Sequence, residues 1–455
     1  MKNGKRSSFS GKLGYVLAAA GASVGLGNIW RFPYLAAKYG GGIFLIIYIV
    51  LALTFGYTMI VAETAIGRMT RKSPVGAFKS FGKKKWLSFG GWINAVIPVL
   101  IVPYYSVIGG WVIKYLVEYF RGNAKLLAED GYFTDFISNG VSTELCFVAF
   151  CAFTLIIIFA GVQNGIERVS KIMMPILIVL SVIIAVYSVT RPGALAGVKY
   201  FLVPNVKNFS WMTVVSAMGQ MFYSLSIAMG ILITFGSYMK KDTAIEDSTR
   251  NVEIFDTGIA IMAGLMIIPA VFAFSGGDPD TLQAGPSLMF ITIPKVFQNM
   301  GFGTVIGIVF FLLVLFAAVT SSIALTESAV STFEDELGWG RKKATVLVGV
   351  IMLALGSLSS LGYGPLAGIK IIGMQFLDLF DFLTNSVMMP IAALLTSLFV
   401  SRVVGIDKIE DEIIHGESAF RRKKVFVVMI KYLCPVFAII ILLSSVANAL
   451  GWIKM

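Results

Sequence analysis

Residues 15–40 read YVLAAAGASVGLGNIWRFPYLAAKYG, and this stretch constrains the fold more than any other. It begins as an apolar helix able to enter a bilayer. Gly21, Gly25 and Gly27 then crowd into seven residues, followed by Asn28 and by Arg31-Phe32-Pro33. Glycine weakens helix interiors, and a proline cannot donate to the carbonyl four residues back. The helix is therefore expected to break inside the membrane. Non-helical backbone is tolerated at that depth only where it packs in protein or lines a cavity. Freed carbonyls in such a break can hold cations, and freed N–H groups can hold a carboxylate.

The rest of the chain reads as polytopic membrane protein. Of 455 residues, 57% are hydrophobic and 14% charged, against roughly 25% charged in soluble chains. Apolar segments long enough to span recur at 12–37, 41–67, 87–120, 142–161, 168–190, 211–239, 252–275, 302–333, 344–361, 371–400 and 425–452. No cleavable signal follows the basic start. The expected layout is a cytoplasmic segment 1–11, repeats 12–190 and 191–401, a cytoplasmic loop 402–424 and a last span within 425–455. The net charge of +12 sits mostly at the N-terminus and in alternate loops, as in Arg68-Met-Thr-Arg71-Lys72, Lys83–Lys85, Arg341–Lys343 and Arg421–Lys424. That is the positive-inside pattern, with the N-terminus cytoplasmic and, after eleven spans, the C-terminus outside. It argues against nucleic acid, which would need the charge on one face of one domain. Cys146, Cys151 and Cys434 lie in apolar segments without metal or disulfide spacing. His415 is the only histidine and falls in a charged loop. With no His in any span, a hydrolase using Ser321 as nucleophile has no base.

A second interruption, GQMFYSLSIAMG at 219–230, lies five segments after the first and carries Ser224, Ser226 and Gly230. Five is an odd number, so the two halves have inverted topology. A lone Ser in a membrane helix often bonds back to a helix carbonyl. Two beside a Gly, in the segment matching the glycine-rich one, point to a site. Ala317-Ala318-Val319-Thr320-Ser321-Ser322 adds three adjacent hydroxyls, which suit either close helix packing or a small hard cation. Acids within spans are costly, about 2.5–3.5 kcal/mol each, and are functional candidates by default. Glu63 could accept from unwound backbone. Asp256 opens the seventh segment, and Asp378 and Asp381 open the tenth on the outer side, across from Arg31.

These motifs resemble the neurotransmitter:sodium symporter family, which includes bacterial amino-acid transporters. The resemblance runs from Arg6 to about Trp452 and rests on GASVGLGNIWRFPY at 21–34, GGGIFLIIY at 40–48, PYYSVIGGW at 103–111, NGIERVSK at 164–171, GQMFYSLS at 219–226, AAVTSSIA at 317–324 and FEDELG at 333–338. Paired broken spans around a midplane site are a feature of this very fold. The resemblance implies an all-α integral membrane fold of eleven helices, two inverted five-helix repeats with broken first and sixth helices.

It also implies two sodium ions. One would be held by the Ser23 carbonyl, Asn28, Ser224 and Asp256, and the other by Gly21, Val24, Ala317, Thr320 and Ser321. The substrate carboxylate would meet Leu26, Gly27 and Tyr105, and the ammonium Ser23, Tyr223 and Ser226. Ala22, Ile101, Met229 and Leu325 complete an uncharged wall. Tyr105 and Tyr223 would cap the site from outside. Arg31 with Asp381 forms an outer gate, Arg6 with Asp335 and Tyr238 an inner latch, and Glu63 a support for the unwound first helix. Chloride-dependent relatives carry Asn and Ser where this chain has Asp256 and Ala260, so no chloride is expected. The reading is a plasma-membrane sodium symporter for neutral, mainly aliphatic amino acids, with lipid as the surrounding partner and no enzymatic chemistry. A non-transporting sensor and a sodium-independent exchanger are the alternatives on this fold; Thr320 and Ser321 argue against the exchanger.

Overall fold

The computed structural model describes residues 6–82, 84–276, 285–449 and 452. Residues 1–5, 450, 451 and 453–455 of the expected terminal segments, 277–284 of the second repeat, and Lys83 of the basic triplet lie outside the described residues. Among these, nine helices are long and apolar enough to cross a membrane: Gly42–Thr70, Lys85–Phe120, Gly140–Phe159, Val162–Val189, Ile245–Ser275, Gly303–Leu337, Arg341–Leu361, Phe376–Val404 and Lys423–Asn448. A tenth is the bent pair Lys12–Ser23 and Gly27–Lys38, whose halves meet at 53°. Trp211–Ser224 and Ile231–Tyr238 are each too short to cross alone. They occupy the expected sixth segment, 211–239.

The packing repeats itself between the halves. The first span lies on the seventh, as the sixth lies on the second. The fourth packs on the eighth, as the ninth packs on the third. Exchange of partners between spans five apart is what an inverted repeat produces.

Both breaks are narrower than the sequence suggests. The first is confined to Val24–Leu26, with Val24 extended at φ −74°, ψ 93°. Pro33 lies in a resumed helix: Phe32 N–H reaches back five residues to Gly27 O, and this widened turn absorbs the proline. The sixth span stays helical through Ser224 and breaks only at 225–230. There Ser226, Ala228 and Gly230 take the left-handed φ values 52°, 59° and 69°.

Three helix limits depart from hydropathy. The seventh span begins at Ile245, not 252. Its polar first turns are held by the loop before the last span: Glu246 accepts the backbone N–H groups of Arg421 (2.8 Å) and Arg422 (2.9 Å) and the Tyr57 hydroxyl (2.9 Å). Asp256 is consequently mid-helix and fully buried, rather than a helix-start residue. The fifth span starts at Val162 instead of 168, directly after a left-handed Gly161. The tenth runs Phe376–Val404 instead of 371–400, because Ile371 and Met374 pair their backbones in a tight turn.

The second span and the outgoing half of the sixth touch backbone to backbone. A Cβ on Gly67 would stand 2.0 Å from the Ile233 carbonyl oxygen, and one on Gly236 2.4 Å from that of Thr64. Neither obstacle is a flexible side-chain tip, so overpacking should cost about 1–3 kcal/mol. Gly67→Ala or Gly236→Ala should lower the melting temperature in detergent. Gly258→Ala, with open space around it, should hold or raise it by the helix preference of Ala over Gly. Equal behaviour of the three variants in a thermal-shift assay would contradict the close approach.

Candidate functional site

The two breaks face each other at the centre of the bundle, and their backbone groups are satisfied by Asn28 of the first span and by other spans. Asn28 Oδ1 accepts the Gly25 N–H at 3.2 Å, and the Tyr105 hydroxyl accepts that of Leu26 at 3.3 Å. Gln220 donates to the Gly27 carbonyl at 3.0 Å, and Ser226 to that of Ala22 at 2.9 Å. Glu63 Oε1 accepts the Ala228 N–H at 2.7 Å. The support from Glu63 thus goes to the sixth span, not the first as expected. The reason is the left-handed turn at Ala228, which aims its N–H at the second span.

The polar residues expected at the first ion site come together. Asp256 Oδ1 accepts from Asn28 Nδ2 (2.8 Å) and Ser224 Oγ (2.9 Å). Asp256 Oδ2 lies 3.1 Å from Ser224 Oγ and accepts from the Tyr48 hydroxyl at 3.0 Å. All four residues are buried. Tyr48 was absent from the expected ligands, although it ends the GGGIFLIIY motif. None of the ion pairs among the described residues involves Asp256. A buried carboxylate needs a compensating positive charge or a proton. The Ser23 hydroxyl turns away, to the carbonyls of Ala19 (3.1 Å) and Leu225 (3.4 Å).

The second set also converges. Ser321 Oγ lies 3.2 Å from the carbonyl oxygens of Gly21 and Ala22 and 3.4 Å from that of Val24. Thr320 Oγ1 is 3.2 Å from the Ala317 carbonyl and 2.9 Å from that of Phe316. A Cβ on Gly21 would meet Thr320 Cβ at 3.0 Å, so the glycine admits the eighth span to the break. Every donor atom in both sets is oxygen, apart from the Asn28 amide nitrogen. That chemistry fits a small hard cation.

Between the two sets lies a cavity of about 30 Å³. Ala22, Ser23, Leu26, Gly27, Ile101, Tyr105, Tyr223, Ser226, Met229 and Leu325, all expected at the substrate site, line it together with Ser321, Gly25 and Asn28. Above it opens a vestibule of about 480 Å³ that contains Arg31, Tyr104, Asp378, Asp381 and Asn385. Tyr223 lines both spaces and separates them. Its ring rests on Gly27, where a Cβ would sit 2.4 Å from Cδ1, and the Arg31 guanidinium lies 5.2 Å above its centroid. Arg31 and Asp381 share the vestibule, and no ion pair within 4.0 Å joins them among the described residues.

At the opposite end, polar side chains bind one another. Arg6 pairs with Asp335 Oδ1 at 2.6 Å, donates to Ser237 (2.9 Å) and Ser331 (2.8 Å), and lies 4.9 Å over the Tyr238 ring. Asp335 Oδ2 accepts the Ser73 N–H at 2.6 Å. The Tyr238 hydroxyl continues the network to Glu327 at 2.7 Å, which Arg341 also holds. Ser73, Ser237, Ser331, Glu327 and Arg341 were not anticipated. Their contribution depends on which helix ends meet, which local sequence does not encode.

Comparison with known proteins agrees with this build. A model of the "Sodium:neurotransmitter symporter family" matches residues 6–130 and 131–452. An uncharacterized sodium-dependent transporter of Bacillus subtilis is 34% identical over 450 residues, covering 98% of this chain and 99% of its own length. The human sodium- and chloride-dependent GABA transporter 2 is 26% identical over 474 residues, covering 90% of this chain and 75% of its own. The crystal structure of MhsT in complex with L-phenylalanine aligns with a TM-score of 0.86 at 35% identity, over 97% of this chain and all of that one. With the family model spanning nearly the whole chain and the paired breaks in place, this protein belongs to the sodium:neurotransmitter symporter family, whose members are multi-pass, sodium-dependent membrane transporters.

Proposed function

We propose that the protein imports neutral, apolar amino acids by symport with two sodium ions, without chloride, through alternating access between an outer gate at Arg31–Asp381 and an inner latch at Arg6–Asp335. The N-terminus and the latch face the cytoplasm of a cell with this protein in its plasma membrane. The observation that carries the reading is Asp256, a buried carboxylate without a basic partner among the described residues, beside an oxygen-lined break and an uncharged cavity. A sodium ion at Asn28, Ser224 and Asp256, with the substrate carboxylate nearby, supplies the missing positive charge. A second ion at Gly21, Val24, Ala317, Thr320 and Ser321 would fix the first break to the eighth span.

Two cations and a zwitterion leave excess positive charge in a low-dielectric site, which something negative must offset. Asp256 is fixed there, with Tyr48 and Ser224 holding its oxygens. It would do the work that chloride does in chloride-dependent relatives. The cavity wall from Ala22, Ile101, Met229 and Leu325 carries no charge, so a charged side chain would be buried unpaired at a cost of several kcal/mol. MhsT, crystallised with phenylalanine, supports an apolar substrate. Ala228, held left-handed at φ 59°, stiffens the sixth-span turn relative to Gly. That stiffness limits the room for the bulkiest side chains, which favours mid-sized aliphatic substrates over tryptophan or tyrosine.

The reading is tested by sodium-driven accumulation of labelled amino acids in proteoliposomes. Leucine, valine, methionine or alanine should accumulate against a gradient, and binding without accumulation would instead mark a sensor. Aspartate and lysine should not compete, and Ala228→Gly should improve aromatic competition relative to leucine. A competition series in which tryptophan or tyrosine outranks leucine in the unaltered protein would refute the volume argument alone.

Thr320→Ala with Ser321→Ala removes two oxygen ligands from one ion. Sodium affinity should fall more than tenfold, about 1.4 kcal/mol or more, measured by sodium titration of substrate binding. Uptake that survives the double change, or replacement of sodium by potassium, would exclude this ion site. Transport by the unaltered protein should persist in gluconate. Asp256→Asn should impair it or render it dependent on added chloride. A strict chloride requirement before any substitution would rule out the role given to Asp256.

A further inference from the structure

We propose that Tyr104 and Asn385 are positioning residues for Asp381, holding one carboxylate oxygen so that the other is presented to Arg31 when the vestibule closes. The proposal rests on the reading of Arg31 and Asp381 as the outer gate and names what prepares that gate.

Asp381 and Asn385 are four residues apart on the tenth span, and Asn385 Nδ2 donates to Asp381 Oδ1 at 2.6 Å. The Tyr104 hydroxyl, from the third span, donates to the same oxygen at 3.2 Å. The same Asn385 nitrogen lies 3.2 Å from the Tyr104 hydroxyl, and Thr384 Oγ1 lies 3.3 Å from it. Three members of this ring, Tyr104, Asp381 and Asn385, line the vestibule that contains Arg31. All of it thus converges on Oδ1, and among the described residues no hydrogen bond engages Oδ2. Arg31 meanwhile waits over the Tyr223 ring, beside Gly219, where a Cβ would stand 3.9 Å from Nη2.

An ion pair in a watery vestibule gains little, because solvent screens it and both side chains lose freedom. Its net sign depends on how much of that freedom is already spent. Asp381 anchored to two helices has surrendered its rotamers before Arg31 arrives, so only the arginine must be ordered on closure. Tyr104 also precedes Tyr105, whose hydroxyl accepts the Leu26 N–H at the first break. One turn of the third span therefore holds the gate carboxylate with one residue and the central site with the next.

The test uses Tyr104→Phe and Asn385→Leu, each removing a donor at nearly constant volume, alone and combined with Asp381→Asn. Full-length protein is reconstituted for uptake of labelled leucine and assayed in detergent for equilibrium binding and thermal stability. Each single change should slow maximal uptake about three- to tenfold while moving the binding Kd less than about threefold. In the Asp381→Asn background, the same changes should have no further effect on uptake. Full additivity in that background overturns the positioning role, as does normal uptake by both variants while Asp381→Asn alone is impaired. Normal transport by Asp381→Asn overturns the gate reading itself. Tyr104→Phe is the more conservative change, so loss of folding in Asn385→Leu leaves the cycle to be read from Tyr104.

Discussion

Backbone polar groups cannot be left unpaired in a membrane, and the structure is organised around two places where helices leave them so. An unmade bond at a buried group costs about 1–3 kcal/mol. Each break meets that demand with groups from elsewhere: Tyr105 from the third span for Leu26, Gln220 from the sixth for Gly27, Ser321 from the eighth for Gly21 and Ala22, Glu63 from the second for Ala228. The stitches tie the first and sixth spans to one another and to the helices around them. The same carbonyls and hydroxyls form the candidate ion sites. Structural satisfaction and ligand binding therefore draw on one set of atoms, and a bound ion competes with, or replaces, bonds that otherwise hold the breaks closed.

The two ends of the bundle are unlike. On the latch side, Arg6 reaches three partners on two spans, and Tyr238 extends the network to Glu327 and Arg341. On the other side, a vestibule of about 480 Å³ runs down to a single ring, Tyr223. Tyr223 rests on Gly27 below and meets the Arg31 guanidinium above, a cation–π contact that is weak where exposed. Under the proposed alternating access, parting the Arg6 end would break several charge-assisted bonds at once, whereas closing the vestibule would move Tyr223 and Arg31.

Hydropathy and glycine placement made the spans, their inversion and the two breaks legible, because each is a local or periodic property. The cavity lining was legible as well, through motif resemblance. What escaped the sequence depends on contacts across hundreds of positions. Tyr48 is one aromatic among many on an apolar segment until the fold sets its hydroxyl 3.0 Å from Asp256. Asp256 looks like a helix-start acid until the polar turns before it prove to be helix, held by a loop more than 160 residues downstream. Pro33 looks like part of the break because proline disrupts an ideal α-turn; a widened turn spares it. Glu63 was read correctly as an acceptor for unwound backbone, but which backbone depends on the φ of Ala228, a value that its side chain ordinarily disfavours.

The glycines of the first break have a second use beyond weakening a helix. A Cβ on Gly25 would stand 2.7 Å from Ser321 Oγ and 3.1 Å from the Tyr105 hydroxyl, and one on Gly27 would collide with the Tyr223 ring. These two glycines thus bring together the Ser321 hydroxyl, the Tyr105 hydroxyl and the Tyr223 ring. A shift of one is felt by the others through the break they all touch, because packed interiors transmit displacement. An ion that draws Ser321 toward the break therefore also moves the surface against which Tyr105 and Tyr223 rest. Coupling between ion, substrate and lid then follows from shared van der Waals contact at Gly25 and Gly27. It needs no longer pathway, and any side chain at either position would separate what the glycines join.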